Sequence, residues 1–160
     1  KTMNFLTEHG ISSYGELESK LTAISARRDT AHAEIKRIES RSAELTLVMK
    51  HAGTYRQLKP LYDRYRKSND KEKFLRGHES EIILFEAAAR ELKRLGAVPL
   101  PTTESMKTEL ANLNAEKELL LAEYKAARTE AQEYDTVKQN VDALLAVPKE
   151  QEQQRRHELE

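Results

Sequence analysis

The 160-residue chain has no cysteine and no tryptophan, only five glycines and four prolines, and aromatic residues make up just 6% of it. Without cysteine there is no disulfide frame and no thiolate to act as nucleophile or metal ligand, which fits a reducing compartment. So few turn-forming and aromatic residues argue against a sheet. Apolar runs such as Ile82 to Phe85 are far shorter than the roughly 20 residues that a membrane span needs. No glycine-rich phosphate loop is present, and Ser, His and acid occur in no recognisable nucleophile arrangement. Net charge is absent too, with 27 basic residues against 27 acidic ones. A first residue of Lys1 and no signal peptide read as a fragment of something larger, with a cytoplasmic setting expected.

What remains is rich in Ala, Leu, Glu, Lys and Arg, the composition of long helices. From Leu17 an unbroken alternation of four- and three-residue steps gives Leu17, Leu21, Ile24, Arg28, Ala31, Ile35, Ile38, Ser42, Leu45, Met49 and Ala52. Only Arg28 and Ser42 interrupt the small or apolar character of this stripe, and no Gly or Pro falls between Gly15 and Gly53. A narrow seam of this period is the pattern of a coiled coil and has to be buried by another helix. The seam returns as Met106, Leu110, Leu113, Lys117, Leu120, Tyr124, Ala127, Ala131, Tyr134, Lys138, Val141 and Leu145. Two seams of matched length that border one insert predict an antiparallel hairpin. Pairing Ala52 with Met106 puts Ala31 opposite Ala127, Ile24 opposite Tyr134 and Leu17 opposite Val141. Arg28 and Lys117 are expected to reach outwards and fix register. At about 1.5 Å per residue the arm would be ~54 Å long.

Local signals place the ends. Gly10 is a left-handed stop for an opening helix, with Ile11 folding back on Leu6. Ser13 with Glu16 reads as a capping box, starting the long helix at about Tyr14. Gly53 is expected to end that helix, with a turn over 53–58 and a new helix beginning near Pro60 and ending near Lys67. Ser68, Asn69 and Asp70 read as turn and cap, Gly77-His78 as an interruption, and Gly96 as the stop of a helix over about 79–95. Thr102 or Thr103 caps the last helix, which Pro148 is expected to end. The expected architecture is therefore all-α, a long antiparallel coiled-coil hairpin with a small helical insert at its tip. Residues 1–147 form one elongated domain with paired helices over 14–52 and 103–146 and the insert over 53–101, and 148–160 form a disordered charged tail.

Charge concentrates in the insert. From Lys50 to Arg76 nine bases face three acids, a local excess of six positive charges in a neutral chain. Arg56, Lys59, Arg64, Arg66, Lys67, Lys71, Lys73 and Arg76 are the candidate contacts for DNA phosphates, interleaved with Tyr55, Tyr62, Tyr65 and Phe74. The same tyrosines recur at helical spacing, which equally fits rings packed into the hairpin end. The histidines are scattered: His78-Glu79 opens the pattern of a helical zinc site, but Ile82 stands where the second histidine is needed. No catalytic residue, metal or cofactor is expected of this chain.

The opening KTMNFLTEHGISSYGELESKL, the insert YRQLKPLYDRYRKSNDKEKFLRGHESEIILFEAAARELKRLG and the closing EYDTVKQNVDALL resemble the C-terminal helical region of conjugative relaxases. These are the mobilisation nucleases of integrative and conjugative transposons of gut Firmicutes, and the resemblance runs from Lys1 to Leu145. Such relaxases have an upstream domain in which a tyrosine, helped by a metal on a histidine cluster, attacks DNA at the transfer origin. Neither the cluster nor a matching tyrosine is found here, so no catalytic role carries over. The resemblance implies a non-catalytic accessory domain that engages transfer-origin DNA. The alternative is a coiled-coil protein-interaction or dimerisation module, a homodimer among its forms, that docks the relaxase to accessory or secretion coupling proteins without touching DNA.

Overall fold

The computed structural model describes residues 1–159, with the side chains of 147–152 outside the description. Four helices follow in order: α1 (Thr2–Glu8), α2 (Tyr14–Lys67), α3 (Lys71–Arg94) and α4 (Thr103–Glu158). Helix accounts for 88% of the chain, no strand occurs among the described residues, and α2 and α4 pack against each other as an all-α hairpin. No helix among the described residues is long and apolar enough to cross a membrane. The chain forms two compact units, residues 1–35 with 118 onwards, and residues 36–117.

In the first unit the seam closes with two departures from the expected stripe: Val137 is buried where Lys138 was expected, and Leu145 is exposed. Leu17, Ile24, Ala131, Tyr134 and Val137 form one buried cluster, with Leu21 and Val141 against it. Ala31 and Ala127, the small residues of the two stripes, are both buried. α1 is held to this cluster by Phe5 and Leu6. It stops at Gly10, whose φ of 65° is the left-handed conformation expected there. The Ile11 amide donates to the Leu6 carbonyl (2.9 Å) and the Gly10 amide to that of Thr7 (3.2 Å), returning Ile11 to the core. At the start of α2 the Ser13 hydroxyl accepts from the Glu16 amide (3.2 Å). The reciprocal half of the box is displaced by one residue, because Glu16 Oε2 accepts from the amide and hydroxyl of Ser12. Those bonds hold the Glu16 carboxyl below its ordinary range. The Tyr14 hydroxyl donates to Asp142 Oδ1 (2.6 Å), tying the first turn of α2 to α4.

In the second unit Ile38, Leu45 and Ala52 of α2 and Met106 and Leu113 of α4 are buried as expected, and Val48 is buried where the stripe placed Met49. α3 adds Ile82, Phe85, Ala88 and Leu92. Ion pairs flank the seam: Arg41 grips Glu109 with two hydrogen bonds (2.7 and 3.1 Å), and Lys117 reaches Glu39 (3.3 Å). The Arg41 guanidinium holds the Glu109 carboxyl below its usual range. Of the polar seam residues, Lys117 thus bridges the helices, while Arg28 of the first unit turns to its own neighbour Asp29. The Ser42 hydroxyl is buried without a hydrogen-bond partner.

Two expected helix ends are absent. α2 passes through Gly53 and Pro60 without a break. Gly53 lacks the positive φ that makes glycine a stop signal. A mid-helix proline removes one amide and crowds the preceding turn, costing about 3 kcal/mol in isolation. Packing overrides this, because Tyr55 and Tyr62 on either side of Pro60 both stack on Phe85 of α3, with ring centroids 4.8 and 4.3 Å away. The boundary expected at residue 53 is therefore replaced by a single α2. Likewise α4 extends through position 148 to Glu158, where a helix end at Pro148 and a disordered tail were expected. The Glu, Gln and Arg that follow Pro148 are all good helix formers. By contrast α3 is kinked at His78 (φ −136°, ψ 25°), where Gly77-His78 marked an interruption.

Truncating Ile38, fully buried in the seam, to alanine should destabilise the fold by about 2–5 kcal/mol in urea unfolding followed by circular dichroism. Leu119→Ala, at a side chain 75% exposed, should change it by less than about 0.5 kcal/mol. Equal effects would contradict the seam as the source of stability.

Candidate nucleic-acid interface

Six of the eight candidate basic residues lie where α2 turns into α3. The turn is tightly specified: the Ser68 hydroxyl accepts from the Asp70 amide (3.3 Å), and Asp70 Oδ1 caps α3 by accepting from the Lys73 amide (3.1 Å). Behind it a ladder of rings joins the two helices. Tyr62 leads to Tyr65 (5.9 Å between centroids), Tyr65 to Phe74 across the turn (6.0 Å), and Phe74 to His78 (4.7 Å). Tyr55, Tyr62, Tyr65 and Phe74 are all partly buried. The rings thus pack between the helices, as their helical spacing allowed.

The eight candidate bases separate into two groups. Arg56 donates to the Pro101 carbonyl (2.5 Å) and the Thr103 hydroxyl (2.6 Å), anchoring the linker that leads into α4. Lys59 is paired with Asp63 one turn on (3.1 Å). Arg64, Arg66, Lys67, Lys71, Lys73 and Arg76 are exposed. Among the described residues none of these six side chains makes a hydrogen bond or ion pair. Over Arg64–Arg76 six bases face only Asp70 and Glu72, and Asp70 is engaged as the cap. Three of the bases occupy the last turn of α2, where they also complement the negative end of the helix dipole. The result is an excess of free cations at the α2–α3 end, suited to phosphates, whose recognition requires charge more than shape.

The linker role of Arg56 had no local signal, since its partners lie 45 and 47 residues away. The linker itself begins with a C-terminal stop at Gly96 (φ 71°). There the Ala97 amide returns to the Leu92 carbonyl (2.9 Å). At its far end the Thr102 hydroxyl accepts from the Ser105 amide (3.1 Å) and caps α4. Elsewhere little resembles a reaction centre. An open cleft of about 530 Å³ in the first unit is lined by Phe5, His9, Glu133 and Val137 among others. Its histidine is engaged, with Nδ1 against the Phe5 carbonyl (2.8 Å) and the ring stacked on Phe5. Among the described residues no group of three or more His, Asp or Glu is placed to hold a metal ion.

Comparison of the chain with protein-family models, curated proteins and solved structures finds no match.

Arg56→Ala should lower stability in urea by about 1 kcal/mol, the net worth of exposed charge-assisted hydrogen bonds. Arg66→Ala should leave stability within about 0.5 kcal/mol. A stability loss for Arg66 as large as that for Arg56 would contradict the division of the bases into anchoring and free groups.

Proposed function

We propose that this chain is a non-catalytic accessory domain of a conjugative relaxase, working in the cytoplasm and supporting the binding of transfer-origin DNA. The observation that carries the reading is the set of six unpaired bases, Arg64, Arg66, Lys67, Lys71, Lys73 and Arg76, around the α2–α3 turn. The resemblance of three long segments to the relaxase C-terminal region supplies the setting. In this reading DNA is held by its phosphates, so the patch adds affinity without choosing sequence, and sequence choice and nicking belong to the upstream nuclease. Arg56 and Lys59 contribute indirectly, through the linker and the helix that carry the patch.

A second reading has one observation in its favour. Leu119 and Leu121 of α4 are 75% and 44% exposed in the first unit, which suits a module docking accessory or coupling proteins. Such docking would use an outer face of the hairpin, since α2 and α4 pack against each other.

Fluorescence anisotropy with labelled transfer-origin DNA separates the two. Reversing Arg64, Arg66 and Lys67 to Glu should weaken binding roughly a thousandfold at about 50 mM salt, the effect of losing three phosphate contacts, with helicity unchanged. Unchanged affinity would contradict a DNA role for the α2–α3 end and leave protein docking as the surviving reading.

A further inference from the structure

Proteins that hold single strands do so with two devices, a basic track for the backbone and exposed aromatic faces on which unstacked bases lie. The α2–α3 end has the first without the second. Its rings are engaged with one another: Tyr55 and Tyr62 with Phe85, Tyr62 with Tyr65, Tyr65 with Phe74, and Phe74 with His78. The Tyr65–Phe74 contact joins the two helices directly behind the turn, so turning either ring out to meet a base would open the frame that positions the cations. The turn between them is closed by hydrogen bonds to Ser68 and Asp70, which such a rearrangement would disturb.

Resting on the DNA-binding reading above, we infer that the α2–α3 end takes duplex DNA through its phosphates in preference to single strands. A site that offers only cations follows charge density, and a duplex carries about one negative charge per 1.7 Å of axis. Each neutralised phosphate releases about 0.9 counterion from duplex and about 0.7 from a single strand. Summed over the six free bases, the difference favours duplex by roughly tenfold at about 0.1 M salt. Within a DNA-mobilising protein this would let the chain hold the flank that stays double-stranded while another domain handles the opened strand.

The test is anisotropy of the 160-residue chain with a labelled random-sequence duplex and with either of its strands alone, together with intrinsic tyrosine emission at saturating oligothymidylate. Duplex should bind about tenfold more tightly at ~0.1 M salt. Tyrosine emission should stay unquenched, and Tyr65→Leu should leave single-strand affinity unchanged. Single-strand affinity equal to or above that of duplex, or strong tyrosine quenching, would overturn the preference while leaving DNA binding intact. Absence of binding to either form would overturn the DNA-binding reading itself. Should Tyr65→Leu fail to fold, the affinity ratio and the emission of the unaltered chain decide the matter.

Discussion

The narrow apolar seam shared by α2 and α4 is the constraint on which everything else depends. Each helix carries a stripe only two positions wide per heptad, so neither can bury enough surface to persist alone in water. Each finds its cover in the other, within the same chain. In both units the seam is closed by small and branched residues at its centre and by ion pairs at its margins. Those pairs are half-exposed and individually weak. Their contribution is to hold level and direction, as when Lys117 crosses to Glu39, while burial of the seam supplies the stability.

A second consequence is how aromatic and basic residues sort themselves at the α2–α3 end. The two types alternate along the chain, but helical geometry separates them onto different faces. Rings fill the space between α2 and α3, and the cations stand outside. That sorting explains how α2 survives both Gly53 and Pro60. The hydrogen bond that Pro60 removes is a local loss, whereas the stacking of Tyr55 and Tyr62 on Phe85 is a tertiary gain on both sides of it. It also explains why the patch suits phosphates more than bases, since every ring that a base could meet already has a partner.

Most of the seam, the stops at Gly10 and Gly96, the cap at Asp70 and the interruption at His78 were legible in the sequence, because each is a local pattern; the shifts to Val48 and Val137 were not. What was not legible depended on distant partners. Gly53 and Pro60 carry breaker signals that only α3 overrides, and Pro148 carries one that the helix also passes. Arg56 looks like any other base of its run until the linker at Pro101 and Thr103 is folded against it. Glu16 shows the limit of a local rule on a smaller scale, since its carboxylate is held chiefly by the amide and hydroxyl of Ser12. Among the candidate contacts, the run of bases was visible; which of them stay free was a property of the fold.

The most direct measurement is hydrogen exchange by mass spectrometry on the chain with and without saturating duplex DNA. The turn at 68–70 and the first turn of α3 carry amides without helical partners, which exchange readily when exposed. The account predicts slowed exchange centred on residues 64–76, with the rest of the second unit and the whole of the first unchanged. Slowing confined to the first unit, or none at saturating DNA, would contradict it.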